Sequence, residues 1–150
     1  MTQPIVPADF TVPAPLVTAE FRFEPLSAAH NQADHAAWTG SLAHIQATPG
    51  FAGRTWPDTI ETLEDNERSL LRHQEDFAAR VGFAYAVLTR TTGEYVGCVY
   101  FYPPRDDAYD VDVRSWVRAN LANLDKPLHD AVRSWLSTAW PWHSPDYARR

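Results

Sequence analysis

Tyr95-Val96-Gly97-Cys98-Val99-Tyr100-Phe101-Tyr102-Pro103 lies at the centre of the apolar pattern of this chain. It is rich in β-branched and aromatic residues and stops at the Pro103-Pro104 pair, as a strand buried on both faces does. Upstream, Phe83 to Arg90 has the same character. Thr91-Thr92-Gly93 between the two runs supplies a tight turn, so an antiparallel hairpin is expected. Downstream, Val111, Val113, Ser115 and Val117 alternate with Asp112, Arg114, Trp116 and Arg118, a period of two that predicts another strand. Ala119 to Leu124 reads as a loop. Asp125 then caps a last helix whose stripe is Leu128, Val132, Trp135, Leu136 and Ala139, with Pro127 tolerated in the first turn. That helix ends near Trp140-Pro141, and a short closing strand is expected around Tyr147.

Toward the N-terminus, Ala19, Phe21 and Phe23 alternate with Glu20, Arg22 and Glu24, which places a first strand over Val17 to Leu26. Ser27 caps a helix over Ala28 to Thr39, closed by Gly40, and Ser41 to Thr48 adds a short helical piece before the Pro49-Gly50 turn. Phe51 to Pro57 reads as a loop beside a ligand or a packed edge. Asp58 and Glu61 have the spacing of a capping box, and Ile60, Leu63, Leu70, Leu71 and Phe77 continue at helical spacing to about Arg80. Residues 1–16, with Pro4, Pro7, Pro13 and Pro15, form an extended arm ahead of one domain over 17–150.

The chain has 150 residues, 45% of them hydrophobic, enough for one core and not for two. A net charge of −6 and acidic residues in both halves exclude a general nucleic-acid or anionic-membrane binder. Cys98 is the single cysteine, so neither a disulfide framework nor a paired-cysteine zinc site exists, and a reducing, cytoplasmic setting is expected. No signal peptide and no run of eighteen apolar residues is present. The six histidines lack tight ligand spacing, so no metal is expected. Cys98 sits on an apolar strand with no adjacent cation, which reads as packing rather than as a nucleophile.

The order of elements resembles the GNAT superfamily of acyl-coenzyme A dependent N-acyltransferases. Three stretches carry the likeness: Tyr95 to Pro103 with its Val-Gly pair, Val113-Arg114-Ser115-Trp116-Val117, and the helix Leu128 to Leu136. The resemblance implies an α/β (α+β) domain with a mixed, mostly antiparallel sheet flanked by helices. It implies two central strands that part to receive the pantetheine arm of acetyl-CoA, here Val99 to Phe101 against Trp116, Val117 and Arg118. It also implies a Gly-rich diphosphate loop after the second strand. Arg118 matches the first position of that loop, but Leu121 and Asn123 stand where glycines belong, and Asp125 places a negative charge at the helix start that Arg118 and Lys126 partly offset.

Direct transfer to an amine needs a proton acceptor and a proton donor for the leaving thiolate. Tyr147 is the tyrosine beyond the last helix and stands as candidate acid. Asp112, like Asp110 on the same strand, is a candidate for attracting or deprotonating an ammonium group. Trp38, Phe51 and Trp56 are candidate contacts for a small-molecule or peptide amine. Each also has a packing reading: Tyr147 as a packed aromatic, the two aspartates as a solvated strand face. The expected function is N-acetyl transfer from acetyl-CoA. The alternative is a binding or scaffolding module that kept the fold and lost the cofactor, with exposed aromatics serving a homodimer.

Overall fold

A computed structural model describes residues 3–150. The elements are β1 (Phe21–Pro25), α1 (Asn31–Thr39), α2 (Leu42–Ala47), α3 (Leu63–Ala79), β2 (Phe83–Thr89), β3 (Tyr95–Tyr102), β4 (Val111–Val117), α4 (Asp125–Ala139) and β5 (Pro145–Tyr147). Short 3-10 turns occupy Ala28–His30 and Ala119–Leu124. The strands form one sheet in the order β1-β2-β3-β4-β5, antiparallel except for the parallel pair β4 and β5. This is the mixed, mostly antiparallel sheet with flanking helices that the sequence implies. No helix among the described residues is long and apolar enough to cross a membrane.

Period-two alternation assigns the faces. Phe83, Tyr85, Val99, Phe101, Val113 and Val117 lie under Leu128, Val132, Trp135 and Leu136 of α4. The opposite set, Ala84, Ala86, Cys98, Tyr100 and Trp116, meets Trp38, Ile45 and Leu70 of α1, α2 and α3. Small side chains at positions 84 and 86, both buried, let those helices lie close to the sheet.

Residues 3–16 carry no helix or strand, yet they are docked on the core. Val6 is buried, Ile5 N donates to Arg80 O, and Arg80 Nη2 donates to the carbonyls of Pro7 and Phe10. Trp142 Nε1 donates to Ile5 O, and Phe10 packs on Trp140.

Differences from the sequence reading have local causes. β1 begins at Phe21 rather than Val17 because Thr18 Oγ1 accepts from Glu20 N and Phe21 N, closing a tight turn. Ser27 does cap, through Ala29 N, and His30 Nδ1 reaches back to Ser27 N. The Asp58–Glu61 capping box does not form. Gln46 donates to Pro57 O and His35 Nε2 meets Glu61 O, so this segment is held along α1 and α2 as a loop. α3 starts instead behind Thr62, whose hydroxyl accepts from Asp65 N at 3.1 Å. Asp125 is the first residue of α4 rather than its cap, and its carboxylate is used elsewhere.

β3 and β4 approach so closely that a Cβ on Gly97 would stand 1.9 Å from Trp116 O. Any side chain there must push the two strands apart. Gly97→Ala is expected to destabilise the protein by about 3 kcal/mol or more, a fall of about 6–12 °C in Tm for a chain of this size, measured by thermal denaturation followed by circular dichroism.

Candidate functional site

Between α1, α3 and the sheet, at the paired residues Tyr100 and Arg114 of β3 and β4, lies a cavity of about 280 Å³, walled by Leu26, Leu70, Trp56 and Tyr100. Trp56 comes from the loop after α2, and Arg54 pins that loop. The Arg54 guanidinium donates to both oxygens of Asp112, at 3.0 and 2.8 Å, and its Nε donates to Gly50 O at 2.9 Å. The Trp56 ring then rests against Trp38, Phe51, Tyr100 and Trp116, with centroid distances of 5.4 to 6.4 Å. Trp116 Nε1 donates to Tyr100 OH at 2.9 Å and so orients that ring.

The polar lining divides into saturated and open groups. Asp34 is buried and accepts from Tyr95 OH at 2.7 Å, Asn66 Nδ2 at 3.1 Å and Cys98 Sγ at 3.3 Å. Burial and the Asp34 charge push the Cys98 thiol up, so the sulfur packs as an unreactive thiol. His73 is different. Its Nδ1 lies 2.7 Å from Tyr102 OH, and that hydroxyl donates to Asp76 Oδ2 at 2.7 Å. A hydroxyl has a single proton and an ionised carboxylate only accepts, so Nδ1 must carry the ring proton and Nε2 keeps its lone pair. Nε2 has no partner among the described residues, and His73 lines the cavity. Burial lowers the His73 pKa, which keeps the ring neutral near pH 7, and burial together with Asp76 raises that of Tyr102, which keeps its proton. Gly82 seats the Tyr102 ring: a Cβ there would fall 2.4 Å from Cε1.

The opening expected between Val99 to Phe101 and Trp116 to Arg118 does not exist. β3 and β4 form an unbroken ladder from Gly97↔Val117 to Tyr102↔Asp112, and β2 takes the other edge of β3. Val99 and Phe101 therefore have paired backbones, and their side chains are core under α4. The parting occurs one strand further on. β4 and β5 pair from Val111↔Pro145 to Val113↔Tyr147, after which residues 114–117 of β4, still paired with β3 on one edge, have no strand on the other edge among the described residues.

Tyr147 stands at this fork, buried, with its hydroxyl on Ser115 Oγ, and burial pushes its phenol up to about 12. Arg150 enters the fork with its side chain 5% exposed. It donates to Asp125 Oδ2 at 2.6 Å, Ser115 O at 2.8 Å and Ser115 Oγ at 3.1 Å, and also to the carbonyls of Pro49 and Ala148.

The remaining predicted residues scatter. Asp112 is 3% exposed and committed to Arg54, which removes it as a free proton acceptor. Trp38 is fully buried beneath Trp56, outside the cavity lining, and Phe51 packs under Arg114. Arg118 turns back toward Glu94 and Tyr95 O, at 3.4 and 3.3 Å, away from the helix start. Leu121 and Asn123 lie in the 3-10 turn, where Leu121 N and Asp125 N bond within the turn and Leu121 has φ −120°, so no left-handed loop forms. Lys126 is exposed and pairs with Asp130.

His73 and Arg114 carry the site and had faint sequence signals. His73 and Asp76 share a helix face, and Arg114 is the polar half of an alternation. Nothing in the sequence brings Tyr102 to either.

No family model matches the sequence, and no curated protein does. Solved structures match the fold. The ribosomal-protein-S5-alanine acetyltransferase of Vibrio fischeri superposes with a TM-score of 0.60 at 12% identity, over 85% of this chain and 69% of that one. RimL, a ribosomal L7/L12 α-N-protein acetyltransferase in complex with coenzyme A, gives 0.65 at 12% identity, over 81% and 66%. A GnaT-family acetyltransferase from Bordetella pertussis gives 0.58 at 20% identity, over 82% and 70%. The chain thus spans about two thirds of those proteins and has the GNAT fold.

Nitrogen NMR of the histidines checks the tautomer. His73 is expected as the neutral Nδ1–H form at pH 7, with a midpoint below the usual value of about 6.5. Tyr102→Phe, which removes the acceptor of that proton, should yield a mixture of tautomers.

Proposed function

We propose that this protein transfers an acyl group from a thioester, acetyl-CoA or a close relative, to an amine of a small molecule or peptide held in the cavity between α1, α3 and the sheet. The observation that carries this reading is a neutral histidine with a free Nε2 lone pair in an aromatic cavity on one face of β4, while the outer edge of the same strand runs unpaired past β5. An ammonium group must lose a proton before it can attack. His73 Nε2 accepts it, and Asp76, acting through Tyr102, holds the tautomer and steadies the imidazolium that forms. Trp56 and Tyr100 keep water from the amine. The thioester supplies the activated acyl group. Backbone groups of Ser115 and Val117 would line the donor arm, and the Tyr147 hydroxyl at the fork is the proton source placed beside them.

The fit to a coenzyme A donor is good along the strand edge and poor at the helix start. Asp125 carries a carboxylate, Pro127 has no N–H, Leu121 N and Asp125 N bond within the 3-10 turn and Ala119 N donates to Ser41 Oγ, so the start of α4 offers a diphosphate little. Arg150 must also leave Ser115 before an arm can pair there. This last observation favours a second reading, a cofactor-free binding module in which the buried, fully bonded Arg150 closes the fork for good.

Titration with acetyl-CoA of the wild type and of the Asp125→Asn/Arg150→Ala double variant separates the two. Transfer predicts saturable binding that tightens about tenfold or more in the double variant. It also predicts thiol release across an amine panel that falls about 100-fold in His73→Gln with acetyl-CoA affinity unchanged. Absence of binding by both proteins at millimolar acetyl-CoA would establish the cofactor-free module.

A further inference from the structure

Arg114 is a half-buried cation with no hydrogen bond among the described residues. Its side chain is 19% exposed, it lines the cavity, and its Nε has no acceptor. The nearest carboxylate oxygen, Asp112 Oδ2, is 3.5 Å from Nε, and both Asp112 oxygens already accept from Arg54. The guanidinium lies over the rings of Phe51, at 5.6 Å, and Tyr100, at 5.3 Å. Those contacts hold its plane but satisfy none of its N–H groups. Nε is shut from water without an acceptor and the side chain borders the cavity, so a ligand acceptor there would meet donors that the protein leaves unpaired.

A planar fork of donors matches a carboxylate, which takes two parallel N–H bonds. The rest of the lining argues against a more highly charged anion. Asp34 and Glu61 line the space together with Arg72 and Arg114, and Asp112 beside it is paired with Arg54, a balance of charge that a zwitterion matches better than a phosphate dianion does. Glu61 has no ion-pair partner among the described residues and suits an ammonium group on the same ligand. The apolar wall of Leu26, Leu70 and Trp56 suits an apolar side chain, and about 280 Å³ limits the ligand to a small one.

We infer that the cavity binds an amino carboxylate, a free amino acid or a very short peptide, with its carboxylate on Arg114 and its amino group toward Glu61 and His73. The binding claim stands on the cavity alone; its role as acyl acceptor rests on the transfer reading above.

The test is donor-free calorimetry and NMR of the full chain with L-leucine, L-phenylalanine and glycyl-L-leucine. Their C-terminal amides and inorganic phosphate complete the set, and the Trp56 indole N–H serves as local reporter. The free acids should bind about tenfold or more tightly than their amides and move the Trp56 signal. Arg114→Gln should erase that preference, and Arg114→Lys should keep part of it as a point charge. The acid-versus-amide comparison on wild type needs no variant, so a folding defect does not blunt it.

Equal binding of acids and amides, a preference that survives Arg114→Gln, phosphate binding in place of the acids, or no binding at 10 mM ligand (about 100-fold weaker than a 0.1 mM site) would each overturn the inference. Because acetyl-CoA is absent, amino acid binding without acetyl-CoA binding would sink acyl transfer and leave this inference standing.

Discussion

A strand shows alternate residues to opposite faces, and the site is organised around that constraint on β4. Asp112, Arg114 and Trp116 face the helices α1 to α3, whereas Val113, Ser115 and Val117 face α4. On the first face Asp112 anchors the loop that carries Trp56, Arg114 enters the cavity, and Trp116 orients the Tyr100 ring that stacks on His73. On the second, Ser115 receives Tyr147 and Arg150 at the fork. A register slip of one residue would exchange the two sets entirely. The contact of Gly97 with the Trp116 carbonyl pins that register, because no other residue type leaves room for it.

Charge is distributed by the same logic. The Arg54–Asp112 pair is nearly dry, with side chains 15% and 4% exposed, and removing one partner would strand the other at a cost of about 3–5 kcal/mol. Such a pair holds shape and has no spare capacity for proton transfer. Asp34 is likewise spent on Tyr95, Asn66 and Cys98. What stays open among the described residues is a short set: the Arg114 and Arg72 guanidinium groups, the Ser69 hydroxyl, the Nε2 lone pair of His73 and the Glu61 carboxylate. Saturated groups build the walls, and unsaturated ones face the space between them.

Strands were the legible part of this sequence. β3 and β4 fall where their composition and alternation place them, because a strand buried on a sheet face needs little beyond its own period. The start of α3 was not legible, because tertiary bonds from Gln46 and His35 override the local capping box at Asp58. The cavity was beyond reach for a related reason: Trp56, His73, Tyr100 and Arg114 belong to four different segments. The open edge lies one strand beyond the place that the resemblance implies. Which side of β4 stays unpaired depends on β5, a three-residue strand whose pairing ends at Tyr147, and no pattern within β4 records it.

The docking of residues 3–16 bears on how the chain is made. Ile5 is bonded to Trp142, 137 positions later, and to Arg80 in between. As the chain leaves the ribosome, the arm emerges ahead of the residues that seat it, and its seat is complete only once Trp140 and Trp142 have followed. During that interval Ile5, Val6 and Phe10 are apolar surface without cover. The prolines at 4, 7, 13 and 15 have a second value there, because a segment so poor in backbone donors is a weak partner for β-pairing with neighbouring nascent chains.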